Sequence, residues 1–344
     1  VTLRACAAPA LLALAQGCGP APPGEIARRP AEPLRFTLTA AVGQADQHPE
    51  AIAPPPPPPP ASAEPLVDPP GPMGPGEAER YVLALVDRDR AAHGLAPLRW
   101  DETAARAARK HARDLLAHGV TSHVGTDGSV PEQRYTAEGG AGMAWENVAC
   151  FADGEARTPA ADPRFWADSL ADVERAFLDE VPPHDKHRKN LLGPRHDAIG
   201  VGLAASRGAR VACMVQELVD DAGRYEALPR LVRAGRVVVV AGALREGLRV
   251  LAVGVSRVDL PRPKTADDLR PTRGYRIPSP YAVYQPPGYG TPITLRTDGD
   301  QRSFSIQVPI GAEGQPGLYG VSVWASYPGS NEPALVSLRS VEAY

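Results

Sequence analysis

Two histidines three residues apart, His184 and His187, stand in "HDKHRKNLL" between a proline pair and an apolar run. Imidazoles at that spacing can share a helix face and hold a divalent cation. The same residues also make an ordinary basic, solvated helix start, and the pair alone does not choose. The other histidines divide by position. His111 falls on the apolar stripe of a helix and reads as a core histidine held by a hydrogen bond. His118 and His93 lie at helix ends, where a cation suits the dipole. The chain has no H-E-x-x-H, no G-x-S-x-G and no C-x-x-C. A zinc-protease helix, a serine nucleophile elbow and a Cys-based zinc site therefore all lack their signatures.

Of the four cysteines, Cys6 and Cys18 sit in the opening "VTLRACAAPALLALAQGCGP". One positive charge, a short apolar run and small residues read as a secretory signal over 1–18, and the run is too short to be a permanent span. "AQGC" is similar to a bacterial lipobox, which makes Cys18 the expected lipidation site and the membrane its anchor; an ordinary cleaved signal is the alternative. Both readings export the protein to the cell envelope or the extracellular space. Cys150 and Cys213 then remain for the folded body, where an oxidising compartment favours one disulfide over two separate buried thiols.

The elements that must position these groups follow a coarse plan. The formal charge of -3 and a pI near 6.3 give no pull toward nucleic acid, and that class is set aside. Nearly half of the thirty-nine prolines crowd into a linker over 19–75, with seven in a row at Pro54 to Pro60, which cannot bury a core. A folded body, 76–222, begins with two helices: one ending at Gly94, the next capped by Asp101, carrying Trp100, Ala104, Ala108, His111 and Leu115 on one stripe, and ended by Gly119. A third helix is expected from Asp162 to Glu180, stopped by Pro182 and Pro183. Two strands follow around the Arg207-Gly208 turn, so the body is α+β. From 229 to 344, short β runs between Gly and Pro turns predict an all-β, Ig-like sandwich. Tyr275, Tyr281, Tyr284 and Tyr289 occupy a Pro-rich loop that either stacks on sugar or peptide or is structural.

The segment from about 76 to 220 resembles the CAP superfamily, the SCP-like extracellular domains, and especially its bacterial YkwD-like branch. The resemblance is carried in order by "LVDRDRAAHGLAPLRWD", "AARKHARDLLAHG", "SHVGTDGSVPEQR", "WENVA", "HRKNLL" and "AIGVGLA". It implies an α-β-α sandwich with a cavity lined by two histidines and two acidic residues. Matched motif by motif these are His123 of "SHVG", Glu146 of "WENVA", Glu180 of "FLDE" and His187 of "HRKNLL", with Asp179 and Glu174 as alternatives for the third. His184 has no counterpart.

Two imidazoles and two carboxylates can bind Zn²⁺ or another divalent cation, with His123 and His187 as ligands, or form a hydrogen-bonded network that holds the cavity floor. The expected function is an exported, non-enzymatic binding protein whose cavity takes a small ligand or metal and whose β domain meets an envelope polysaccharide, peptide or other partner. The alternative is a metal-assisted hydrolase of peptide or cell-wall material, with Glu146 or Glu180 as general base.

Overall fold

Asp101 accepts hydrogen bonds from the Thr103 and Ala104 backbone amides, and Gly119 closes the same helix in the left-handed region. The cap and stop read from sequence thus define α2 (Glu102–His118) in the computed structural model. Residues 68–150, 154–208, 212–272, 274–287, 295–311, 314–330 and 332–344 are described. The signal-like stretch with Cys18, the linker up to residue 67, and Tyr289 lie outside them.

Before α2 come α1 (Pro75–Ala92) and the short β1 (Arg99–Trp100), and after it α3 (Pro131–Ala137), β2 (Met143–Ala149), α4 (Ala167–Leu178), α5 (Lys186–Leu191), β3 (Ala198–Ala205) and β4 (Ala212–Asp220). The four strands form one sheet in the order β1-β3-β4-β2, antiparallel except where β1 meets β3. Alternation along the strands gives the sheet two different faces. Gly200 and Gly202 face α2, so closely that a Cβ at either would lie 2.0 to 2.1 Å from helix backbone. Ile199, Val201, Leu203, Met214 and Leu218 face the other way and share a core with α1 and α4. Helix, sheet and helix are stacked in three layers.

Two expectations shift here. The third helix begins at Ala167 rather than Asp162, because Phe165 is taken by a backbone bridge to Met73. The same bridge brings order before Gly76, where the linker was expected to run to residue 75.

The rest is β5 (Gly223–Tyr225), β6 (Leu231–Val232), β7 (Arg236–Leu244), β8 (Arg249–Val258), α6 (Ala266–Leu269), β9 (Ala282–Tyr284), β10 (Arg296–Thr297), β11 (Ser303–Ile310), β12 (Gly317–Ser326) and β13 (Ala334–Ala343). They form a sheet of order β10-β11-β7-β5 and another of order β6-β13-β12-β8-β9. Val238, Val240, Val253, Phe304, Ile306, Val321 and Val336 from both sheets bury into one core. The β region starts at Gly223, earlier than the expected 229, since β5 pairs directly with β7. It also docks on the first sheet: Ser337 Oγ donates to the Ala141 carbonyl at 2.6 Å, and Leu335 and Leu338 join the core of α1 and α4. Among the described residues, no helix is long and apolar enough to cross a membrane.

Candidate functional site

Every residue of β2 is buried, and its side chains alternate between the two helical layers. Glu146 points to the α2 and α3 side, and Asn147 to the side of α4 and α5. The consequence is that two polar centres form, one on each face of the same edge strand.

At the first centre, the Glu146 carboxylate accepts from His123 Nδ1 at 2.7 Å and from Arg134 Nη2 at 2.7 Å. His111 Nε2 lies 3.8 Å away. Glu217 is the direct cross-strand partner of Glu146, so both carboxyl groups share one face. Burial and the neighbouring charge of Glu146 push Glu217 well above the usual carboxylate range. Burial alone would raise Glu146 as well, but the Arg134 charge, His111 and the His123 hydrogen bond outweigh it and hold the group at about 2. The two neighbouring acids are therefore shifted in opposite directions. Arg134 Nη1 donates to the His123 and Ser129 carbonyls, which ties the loop between α2 and α3 to the strand.

A strap from the β region covers this centre. Its backbone joins the loop through the Lys264 amide and the Thr126 carbonyl at 2.7 Å. Leu269 of α6 packs into the α2 core beside Cys213. The Tyr275 ring lies edge-on to His123 at 6.2 Å between centroids, and its hydroxyl is buried. Burial pushes the Tyr275 hydroxyl up, as does the adjacent Glu132, itself raised to about 7 by burial. The Tyr275 hydroxyl is thus enclosed, whereas Tyr281 is exposed.

At the second centre, His187 Nδ1 donates to Glu180 Oε1 at 2.6 Å, and Glu180 Oε2 accepts from the His187 amide at 2.8 Å. Glu180 serves as the missing cap of α5, since Asp185 makes no side-chain cap. The His187 ring packs on Phe177 at 4.7 Å. Asn147 bridges the His187 carbonyl and Gln216 Oε1, and Gln216 donates to Glu174. Asp179 ends α4 as its C-terminal flank, and His184 is exposed.

The structure accordingly brings the four expected residues together as two pairs. A structural zinc site takes four side-chain ligands and a catalytic one three. Among the described residues, no three His, Cys, Asp or Glu groups come together to hold an ion. Glu146 is already engaged by Arg134, which places a cation beside the position a metal would take.

Sequence reasoning missed Arg134 and Glu217, and it named Tyr275 only as part of a Pro-rich loop. Arg134 stood in the "SHVGTDGSVPEQR" motif without a role, and Glu217 was visible as an acid in the otherwise apolar "ACMVQELV". A third pair was also missed: His196 Nδ1 donates to Asp220 Oδ1 at 2.6 Å, and Trp145 Nε1 donates to Asp220 Oδ2 at 3.0 Å.

Glu174 yields a measurable consequence. Burial raises it from 4.5 to about 8, so folding takes up a proton between those values. Its contribution is most favourable below 4.5 and is lost as pH rises toward 8, roughly 3 kcal/mol between about pH 5 and about pH 8. Glu174→Gln keeps the acceptor for Gln216 and should flatten that limb by this amount. Urea melts of both proteins across the range decide it, and parallel slopes would refute the assignment.

The disulfide expectation is met: Cys150 and Cys213 are bonded, with Cα atoms 4.2 Å apart. The Cys213 end lies under α2, on the same face as Glu146.

Residues 83–218 match the family model for CAP, the cysteine-rich secretory protein family. An extracellular protein containing a SCP domain, from Bacillus anthracis, is similar at a TM-score of 0.32 and 22% identity, over 42% of this chain and 41% of that one. The chain thus spans about two-fifths of the Bacillus protein's length. An outer surface protein from Borrelia burgdorferi is similar at a TM-score of 0.34 and 18% identity, over 44% of this chain and 97% of that one. No curated protein matches the chain. The helix-sheet-helix body therefore spans the segment, residues 83–218, that matches the CAP family model.

Proposed function

We propose that this chain is an exported CAP-domain protein that binds a ligand or partner without transforming it. The observation that carries this reading is the state of Glu146, the acid of the "WENVA" motif. A general base works best with a pKa near the working pH. Glu146 is held at about 2 and its lone pairs are committed to His123 and Arg134, which makes it a weak base and a strong structural anchor. Glu180, the other candidate base, is occupied in capping α5. Export is supported by the Cys150–Cys213 bond, a linkage that persists outside reducing compartments. The names of the two similar structures, one extracellular and one an outer surface protein, agree with it.

The purified full chain is expected to release no product from casein or from peptidoglycan, with Zn²⁺ or with EDTA. Turnover that co-elutes with the protein and disappears with EDTA would replace this reading by the metal-assisted hydrolase.

A further inference from the structure

β8 and β9 are neighbours in one sheet, with Val253 opposite Tyr284 and Val255 opposite Ala282, and the Tyr281 amide donates to the Val255 carbonyl. Strands paired in this way are commonly joined by about two to five residues. Here the chain instead leaves the sheet at Asp259, crosses the helix-sheet-helix body as the strap, and returns at Tyr281. Connections longer than about 12 to 15 residues are uncommon in compact domains, and many of those that occur are lids or binding loops. Pro261 and Pro263 near one end, and Pro278 and Pro280 near the other, lack amide donors and so keep both ends out of the ladder.

The strap is held at few points. Residues 259–265 are all exposed, and Leu269 and Ile277 are the buried residues among those described from 259 to 281. Among the described residues its one backbone hydrogen bond to the helix-sheet-helix body joins the Lys264 amide to the Thr126 carbonyl. Arg270 Nη2 adds a bond to the Gly154 carbonyl at 3.1 Å. Its origin is firm by contrast, since β8 pairs with β12 from Arg249 to Val258. Few buried side chains and an exposed backbone mark the elements that open locally, at a free energy below that of global unfolding.

What the strap closes is the first centre. The Tyr275 ring lies edge-on to His123 with its hydroxyl enclosed, although the residue as a whole is only half-buried, so the ring enters the centre from outside. His123 beneath it is 3% exposed. We propose that the strap is a lid: in the resting chain it shuts the His123–Glu146 centre from solvent, and it lifts between β8 and β9 while the sheets stay folded. The apparent affinity of the centre for any ligand is then reduced by the fraction of chains whose lid is open. The inference concerns access to the centre and goes beyond the question of whether a bound ligand is transformed.

The full chain is treated with diethyl pyrocarbonate in increasing urea, and the modification of each histidine is followed by peptide mass spectrometry, normalised to its rate in the unfolded chain. His196, buried and bonded to Asp220, serves as the reporter of global unfolding. Below the unfolding transition His123 should react at least about tenfold faster than His196, with little dependence on urea, because lifting the strap exposes little surface. A disulfide staple, Thr126→Cys with Lys264→Cys, should bring the ratio of the two rates down toward one. Should the staple not form, Tyr275→Ala removes the ring over His123 and should raise the ratio instead. The proposal is overturned if His123 in the wild-type chain reacts no faster than His196 or with the same steep urea dependence. It is overturned equally if the formed staple, or Tyr275→Ala, leaves the ratio as it is in wild type.

Discussion

Replacing Glu146 by Gln is expected to cost about 3 to 5 kcal/mol, the typical penalty for removing one partner of a buried ion pair. Arg134 would stay in place with its side chain only 9% exposed and no ionised partner in contact. Glu217 is a poor substitute for Glu146, because burial pushes its carboxyl up and so disfavours the charged form. Arg134→Met should be costly for the mirror reason, since it strands the Glu146 carboxylate. The double variant should recover much of the loss, because two apolar or neutral groups of similar volume need no compensation. A coupling energy near zero in that cycle would mean that the pair does not hold the centre together. The pH dependence has a defined sign. Glu146 lies below its unfolded value of 4.5, so its contribution is present above 4.5 and lost as pH falls toward about 2. His111, lowered from 6.5 to about 4, loses its contribution on the same side, between those two values. Glu174 and Glu132, both raised, lose theirs on the other side as pH climbs. Stability should therefore peak in mildly acidic solution, and Glu146→Gln should weaken the acid limb while leaving the alkaline one.

What could be read in the sequence was what local chemistry decides. The limits of α2 followed from one capping aspartate and one left-handed glycine, both of which act within four residues of themselves. The long β runs of the C-terminal region were legible because one face of each is wet, as the alternation of Phe304, Ile306 and Val308 with exposed or half-buried neighbours shows. β2 was not legible, since "MAWENVA" is buried on both faces and so carries no alternation for the eye to find. The start of α4 was set too early because Phe165 answers to Met73, a partner 92 positions away that no window contains. The candidate site divides in the same way. His123, Glu146 and His187 could be named from motifs, and Glu180 from its distance to Phe177. Their arrangement in two pairs depends on which way Glu146 and Asn147 point from a strand that had not been recognised. Arg134, Glu217 and Tyr275 enter through register and through a strap from the far end of the chain, neither of which spacing reveals.

The disulfide offers the other large effect. Cys150 and Cys213 enclose 63 positions of sequence, and a loop of that length in the unfolded chain corresponds to about 4 kcal/mol of lost entropy when it is closed. The enclosed segment holds α4, α5 and β3, and with them Glu174, Glu180 and His187, while His123, Arg134 and Glu146 lie outside it. Cys150→Ala with Cys213→Ala is therefore expected to lower the unfolding free energy by about that amount, through the unfolded state more than the folded one. Cys213 is buried against Ala112, Leu115 and Leu269, and alanine there leaves only a small gap. The folded structure around Glu146 should consequently survive: the double variant should keep the acid limb of the pH profile that Glu146 and His111 generate, displaced downward as a whole. Urea melts with and without reductant test both parts together. Equal midpoints in the two conditions would show that the bond contributes nothing in solution. A changed shape of the acid limb would show instead that the bond positions the centre directly, since closing a loop in the unfolded chain alters the height of the profile and not the pKa values that give it its form.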